Sequence, residues 1–122
     1  ILGAVPCNNP DPNIETYMLG EYEVKKSIVK GKKEDYFVLK ATSDSMIYAG
    51  IKEGDVLIVK RQQTAEDGDI VIAWVEGEGV TCKRLRKTKT ETYLEPANDK
   101  YKPIKNKNFV IYGKVIYKEG KV

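Results

Sequence analysis

Ile70-Val71-Ile72-Ala73-Trp74-Val75, Glu76-Gly77-Glu78-Gly79, Val80-Thr81-Cys82-Lys83-Arg84-Leu85-Arg86: two runs of strand-forming residues stand on either side of a short segment of glutamates and glycines. β-Branched and aromatic side chains fit a pleated surface, and glycines admit the tight backbone of a hairpin loop. The stretch therefore predicts a β-hairpin. Its first run is apolar on both faces. Such a strand is either covered on both sides or keeps one face for a second subunit. Its second run alternates, with Thr81, Lys83 and Leu85 on one face and Val80 opposite.

The same rhythm continues in both directions. Strands are expected at Tyr36–Lys40, Val56–Lys60, Glu91–Glu95 and Phe109–Tyr117, and a weakly alternating one at Glu21–Lys25. Turns are expected at 51–55, 65–69 and 88–90, a lysine-rich loop at 26–35, a break at Pro96-Ala97-Asn98-Asp99, and a frayed end at 118–122. Short strands at this spacing, separated by glycine turns, predict an all-β fold, mostly antiparallel, as a small barrel or sandwich. Short helical turns are the most helix expected, with a single turn after Ser45 the best place for one. The apolar set in the last strand (Phe109, Val110, Ile111, Tyr112, Val115, Ile116, Tyr117) belongs to the core or, on an uncovered edge, to a self-association surface.

Composition narrows the chemistry. The chain has 122 residues, 41% hydrophobic and 32% charged, which suits one domain with a real core. Its first residue, Ile1, reads as the start of a fragment or a processed product. No stretch resembles a membrane span or an export leader. A net charge of +3 is too small to mark a nucleic-acid binder. The two cysteines, Cys7 and Cys82, lie in unlike contexts and read equally as free thiols or a disulfide. With no histidine, Ser-His-Asp and Cys-His catalysis and histidine metal sites are excluded. Two distant cysteines make no zinc site, so no metal or cofactor is expected. Any hydrolytic base must be a lysine, a carboxylate or a terminal amine.

A lysine becomes a base only when desolvation lowers its pKa from about 10.4. Most lysines here crowd solvated loops. Lys83 differs, since it lies within a strand and shares a face with Leu85. Many strand lysines nevertheless reach water, and the run Lys83-Arg84-Leu85-Arg86-Lys87 also reads as a solvated strand end. Ser45, in Ala41-Thr42-Ser43-Asp44-Ser45-Met46, follows a strand that could fix its backbone, which makes it a candidate nucleophile. Residues 1–16, with Pro6, Pro10 and Pro12, read as an extended arm. An extended segment is also what a protease cleft binds.

Thr42-Ser43-Asp44-Ser45-Met46, then Gly50-Ile51 and Gly54-Asp55, then Val80-Thr81-Cys82-Lys83-Arg84-Leu85 resemble the self-cleaving domain of the LexA repressor family, which includes lambda-type phage repressors and UmuD. The likeness continues through Leu94-Glu95-Pro96-Ala97-Asn98 and Tyr101-Lys102-Pro103-Ile104 and so covers nearly the whole chain. Val5-Pro6-Cys7-Asn8-Asn9-Pro10 is similar to the family's cleavage segment. The resemblance implies a Ser-Lys peptidase, with Ser45 as nucleophile and Lys83 as general base and acid. It places the oxyanion donors on the backbone at Asp44 and Ser45, the scissile bond at Cys7–Asn8, and the arm's anchor at Val5. It makes residues 1–16 the cleavage arm and 17–122 the protease and dimerisation domain. Met46 and Cys82 become packing residues.

The implied partners are a second copy in a homodimer, a RecA–single-stranded DNA filament as activator, and operator DNA held by a separate N-terminal domain. No membrane is involved, and the implied location is the cytoplasm of a bacterium or phage host. Two positions depart from the family pattern. Asn8 follows the scissile bond where glycine is usual, and Ser43 stands where glycine is frequent, beside the oxyanion donors. A UmuD-like polymerase accessory protein, a phage repressor and a non-catalytic β-barrel binding module remain as alternatives. A signal peptidase would share the Ser-Lys logic but require a membrane anchor.

Overall fold

The computed structural model describes residues 16–20 and 22–120. Among these residues the strands are β1 (Thr16–Leu19), β2 (Tyr22–Lys25), β3 (Tyr36–Lys40), β4 (Val56–Arg61), β5 (Ile70–Val75), β6 (Gly79–Lys87), β7 (Thr92–Glu95) and β8 (Phe109–Glu119). Two 3₁₀ turns, Lys33–Asp35 and Ile47–Ala49, supply the helical content, and the second follows Ser45 as expected. The β5–β6 hairpin forms as read, with Val75 paired to Gly79 across the loop.

β1 and β2 form a hairpin of their own, while the other strands make one antiparallel sheet in the order β3-β4-β8-β5-β6-β7. β8 is therefore not an edge strand. It inserts between β4 and β5 and joins two halves of the sheet that are otherwise unconnected. Lys118 and Glu119, expected in a frayed end, pair instead with Leu57 and Val56.

Period-two alternation divides the apolar residues among three cores. Tyr36 and Val38 of β3, with Val56 and Ile58 of β4, pack under the β1–β2 hairpin with Leu19, Tyr22 and Val24. On the far half, Val71, Ala73 and Val75 of β5 pack with Leu85 and Leu94. A middle core is shared by both halves: Leu57, Val59 and Ile72 meet Met46 and Ile51 from the loop after β3. β4 and β5 thus bury side chains on both faces, which is why their sequences are nearly continuous apolar runs. β5 is not covered along its whole length, however. Trp74 is exposed, and its cross-strand partners Val80 and Val110 are exposed with it.

The β4–β8 junction requires a glycine. A side chain on Gly113 would collide with the backbone carbonyl of Lys60 and with the Val59 side chain. Neither can retreat without breaking the pairing that joins the two halves. Gly113→Ala is expected to cost about 1–3 kcal/mol by overpacking, read as a lowered urea midpoint. An unchanged midpoint would show that the junction has slack.

Candidate active site

Ser45 is carried on a loop whose neck is closed by the backbone. Ala41 N–H donates to the Asp55 carbonyl and Gly54 N–H to the Ala41 carbonyl, each at 2.8 Å. Within the loop the 3₁₀ turn closes on Gly50, at a φ of 84° that a side chain resists. Met46 and Ile51 sink into the middle core on either side of this turn. The buried Asp55 carboxylate accepts the Lys52 N–H at 2.8 Å and stands 3.5 Å from Lys118 Nζ, tying the loop to β8. Ser45 is left only 4% exposed.

Lys83 arrives from the other half of the sheet. β7 pairs with β6 only from Arg84 onward, so among the described residues the edge of β6 has no strand partner before that residue. The Lys83 amine lies at this free edge. It donates to Ser45 Oγ at 3.0 Å, to Thr81 Oγ1 at 2.5 Å and to the Cys82 carbonyl at 3.2 Å. Burial lowers its pKa below the ordinary lysine value, partly offset by the Cys82 and Glu78 side chains nearby. A protonated amine has three N–H groups, and the site offers three acceptors. A neutral amine keeps two N–H groups and gains a lone pair. Thr81 and the Cys82 carbonyl can hold those two, which turns the lone pair toward Ser45.

The backbone beside the serine is pinned as well. The Asp44 carbonyl accepts from Ile47 N–H at 3.1 Å and from the buried Asn98 side chain at 2.8 Å. In a trans peptide the carbonyl and the following N–H point opposite ways, so these bonds aim the Ser45 N–H. Ala97 N–H donates to the Ser45 carbonyl at 2.8 Å, and Tyr48 N–H to the Ala97 carbonyl at 2.8 Å. The Asp44 carboxylate accepts from Tyr101 at 2.5 Å and pairs with Lys100 at 3.0 Å. The Tyr101 hydrogen bond and then Lys100 hold its pKa below the usual value.

The Ser45 N–H, one of the expected oxyanion donors, already has a partner. It donates to Ser43 Oγ at 3.3 Å, and the Ser43 hydroxyl donates to Ser45 Oγ at 3.2 Å. The Ser43 side chain thus sits against both the candidate nucleophile and its neighbouring N–H.

Ser45 and Lys83 are brought together, whereas Val5, Cys7 and Asn8 lie outside the described residues. Cys82 is a free thiol packed against the middle core, and burial pushes its pKa up to about 11, so it is no thiolate nucleophile at neutral pH. Among the described residues no group of cysteines and carboxylates is placed to hold a metal ion. Thr81, Asn98 and Tyr101 had drawn notice only as neighbours or motif letters. Asn98 and Tyr101 meet Asp44 from a distant segment, so nothing local announces their contacts, whereas Thr81 stands two residues from Lys83 on the same strand face.

Two clefts meet at Ser45. One, of about 400 Å³, runs along the end of β3 and the start of β6 and is lined by Leu39, Met46, Ile51, Leu57, Ile72 and Val80. The other, about 390 Å³, lies toward the 101–107 loop and is lined by Lys83, Lys102, Lys105 and Lys107. Because Lys83 is the buried lysine among the described residues and stands beside a hydroxyl, its amine is expected to titrate below the ordinary lysine value in an NMR pH series on ε-labelled protein. A midpoint at or above the ordinary lysine value of about 10.4 would contradict the desolvated site.

The family model for peptidase S24-like proteins matches residues 1–116. The chain is 44% identical over 119 residues to the LexA repressor of Carboxydothermus hydrogenoformans, covering 95% of this chain and 56% of the relative. It is 39% identical over 104 residues to the LexA repressor of Staphylococcus epidermidis, covering 85% and 48%, and 40% identical over 119 residues to that of a Geobacillus species, covering 95% and 55%. It therefore spans about half the length of these relatives. A match that runs unbroken from the proline-rich start through the serine turn and the Lys83 strand to β8 places this chain in the peptidase S24-like family.

Proposed function

We propose that this chain is the self-cleaving regulatory portion of a LexA-like transcriptional repressor, a serine endopeptidase whose substrate is its own arm, residues 1–16. The observation that carries this reading is the buried Lys83 amine, 3.0 Å from Ser45 Oγ and with a lowered pKa. Neutral Lys83 takes the Ser45 proton as Oγ attacks the carbonyl carbon of Cys7. The resulting oxyanion is held by backbone N–H groups at Asp44 and Ser45, with the Ser43 hydroxyl moving aside. Lys83 then protonates the nitrogen of Asn8, the Cys7–Asn8 bond breaks, and a Ser45–Cys7 ester remains. Water, deprotonated by Lys83, hydrolyses that ester and returns Ser45. Because the arm is part of the same chain, tethering replaces substrate affinity.

The surroundings suit an extended substrate. Among the described residues the outer edge of β3 and the first residues of β6 flank the first cleft without a strand partner in the sheet, so an arm can add to them by backbone pairing. Val5 anchors the arm in that cleft. The relatives are named LexA repressor, and we extend the proposal to what the family resemblance implies: operator binding through a separate N-terminal domain, a homodimer, a RecA–DNA filament as activator, and a cytoplasmic location. Among the described residues no helix is long and apolar enough to cross a membrane. The exposed apolar residues Trp74, Val110 and Tyr112 offer a surface for the second copy. Cleavage then separates the DNA-binding part from the dimerising part and removes the second half-site contact.

Incubation over a pH series, with products weighed by mass spectrometry, tests the reading. Below its pKa Lys83 is protonated and cannot accept the serine proton. Cleavage between Cys7 and Asn8 should rise with pH through that pKa and then level. Ser45→Ala and Lys83→Ala should abolish it, and Asn8→Gly should accelerate it. Ser43→Gly should speed it by about 2–10-fold, the worth of one neutral hydrogen bond that no longer has to be displaced. An Asn8→Gly chain that stays whole at every pH would overturn the proposal.

A further inference from the structure

The two clefts that meet at Ser45 differ in chemistry, and so do the two halves of the arm. Before the proposed cut the arm reads Ile1-Leu2-Gly3-Ala4-Val5-Pro6-Cys7, with no charged side chain. After it comes Asn8-Asn9-Pro10-Asp11-Pro12-Asn13, and Asp11 is the first charged side chain in the chain. The first cleft combines aliphatic side chains with polar ones and has a single lysine, Lys40, whereas the second gathers Lys83, Lys102, Lys105 and Lys107. We propose that the lysine-lined cleft receives the segment that follows the cut, and that an ion pair between Asp11 and Lys102 sets the register in which the Cys7–Asn8 bond meets Ser45. This rests on the arm being the substrate.

The lysines are not equivalent. Lys107 is paired with Glu78 at 2.8 Å, and Lys105 with Glu91 at 3.3 Å. Lys102 pairs with no carboxylate among the described residues. The cleft also contains one acid, Glu78, which Lys107 already offsets. A carboxylate entering there therefore meets an uncompensated positive charge. Asp11 stands three residues beyond Asn8, about 10 Å in an extended chain, and Ser45 and Lys102 line the same cleft. Pro10 and Pro12 favour that extension, since each fixes its own φ and biases the preceding residue, Asn9 or Asp11, away from helix. A segment already extended loses less freedom on docking, so a solvent-facing ion pair can decide its register.

Two measurements test this, and only one needs catalysis. In the Ser45→Ala chain, a zero-length carbodiimide should join Asp11 to Lys102 within one molecule, identified by peptide mass spectrometry and independent of protein concentration. In the cleaving chain, Asp11→Lys and Lys102→Glu should each slow the cut by about five-fold, the scale of a reversed surface charge pair. The double variant should recover most of the rate, and salt should weaken the effect. Unchanged single-variant rates with no Asp11–Lys102 crosslink would overturn the docking while leaving the protease reading intact. A crosslink that appears only as concentration rises would place another molecule's arm in the cleft and would also overturn it. If no variant is cut, Asn8→Gly included, the protease reading fails, and the crosslink still decides whether the arm docks.

Discussion

The contact between the Lys83 amine and the Ser45 hydroxyl joins two halves of the molecule that share little else. Ser45 rides on the loop between β3 and β4, and Lys83 on the hairpin built from β5 and β6. β8, threaded between β4 and β5, the middle core beneath Met46 and the bonds from the segment after β7 to the serine turn hold these halves in register. A shift at Gly113, where β8 meets β4 without room for a side chain, would therefore reach the site. The separation of the Ser45 hydroxyl from the Lys83 amine is here a property of the whole sheet.

Withdrawing a lysine from water is costly unless its N–H groups find partners. Thr81, the Cys82 carbonyl and Ser45 provide them, and the same burial that lowers the pKa is what the proposed base requires. The serine side of the site is stiffened differently. Asn98, Ala97 and Tyr101 clasp the turn from the segment after β7, fixing the peptide between Asp44 and Ser45. Ser43 adds a restraint of its own by occupying Ser45's hydroxyl and N–H.

Much of this was legible in the residues. The glycine-centred loop at 76–79 between two strand-like runs announced the β5–β6 hairpin. The absence of histidine, with Lys83 inside an alternating strand, directed attention to an amine near a serine. The position of β8 was not legible, because an apolar run says that a strand is buried without saying between which neighbours. The exposure of Trp74 escaped for a related reason: periodicity cannot see where a covering layer stops. The roles of Asn98 and the Ser43 hydroxyl depend on contacts that only the folded chain creates. The prolines of the arm predict an extended segment, and residues 1–15 lie outside those described.

The central claim is that a desolvated Lys83 makes Ser45 nucleophilic, and it can be tested without waiting for the arm to be cut. The rate at which a fluorophosphonate labels Ser45, followed by mass spectrometry against pH, reports the serine's reactivity directly. The account expects a single ionisation that coincides with the NMR midpoint of Lys83 and disappears in Lys83→Met. Labelling that ignores pH, or that survives unchanged in Lys83→Met, would contradict it.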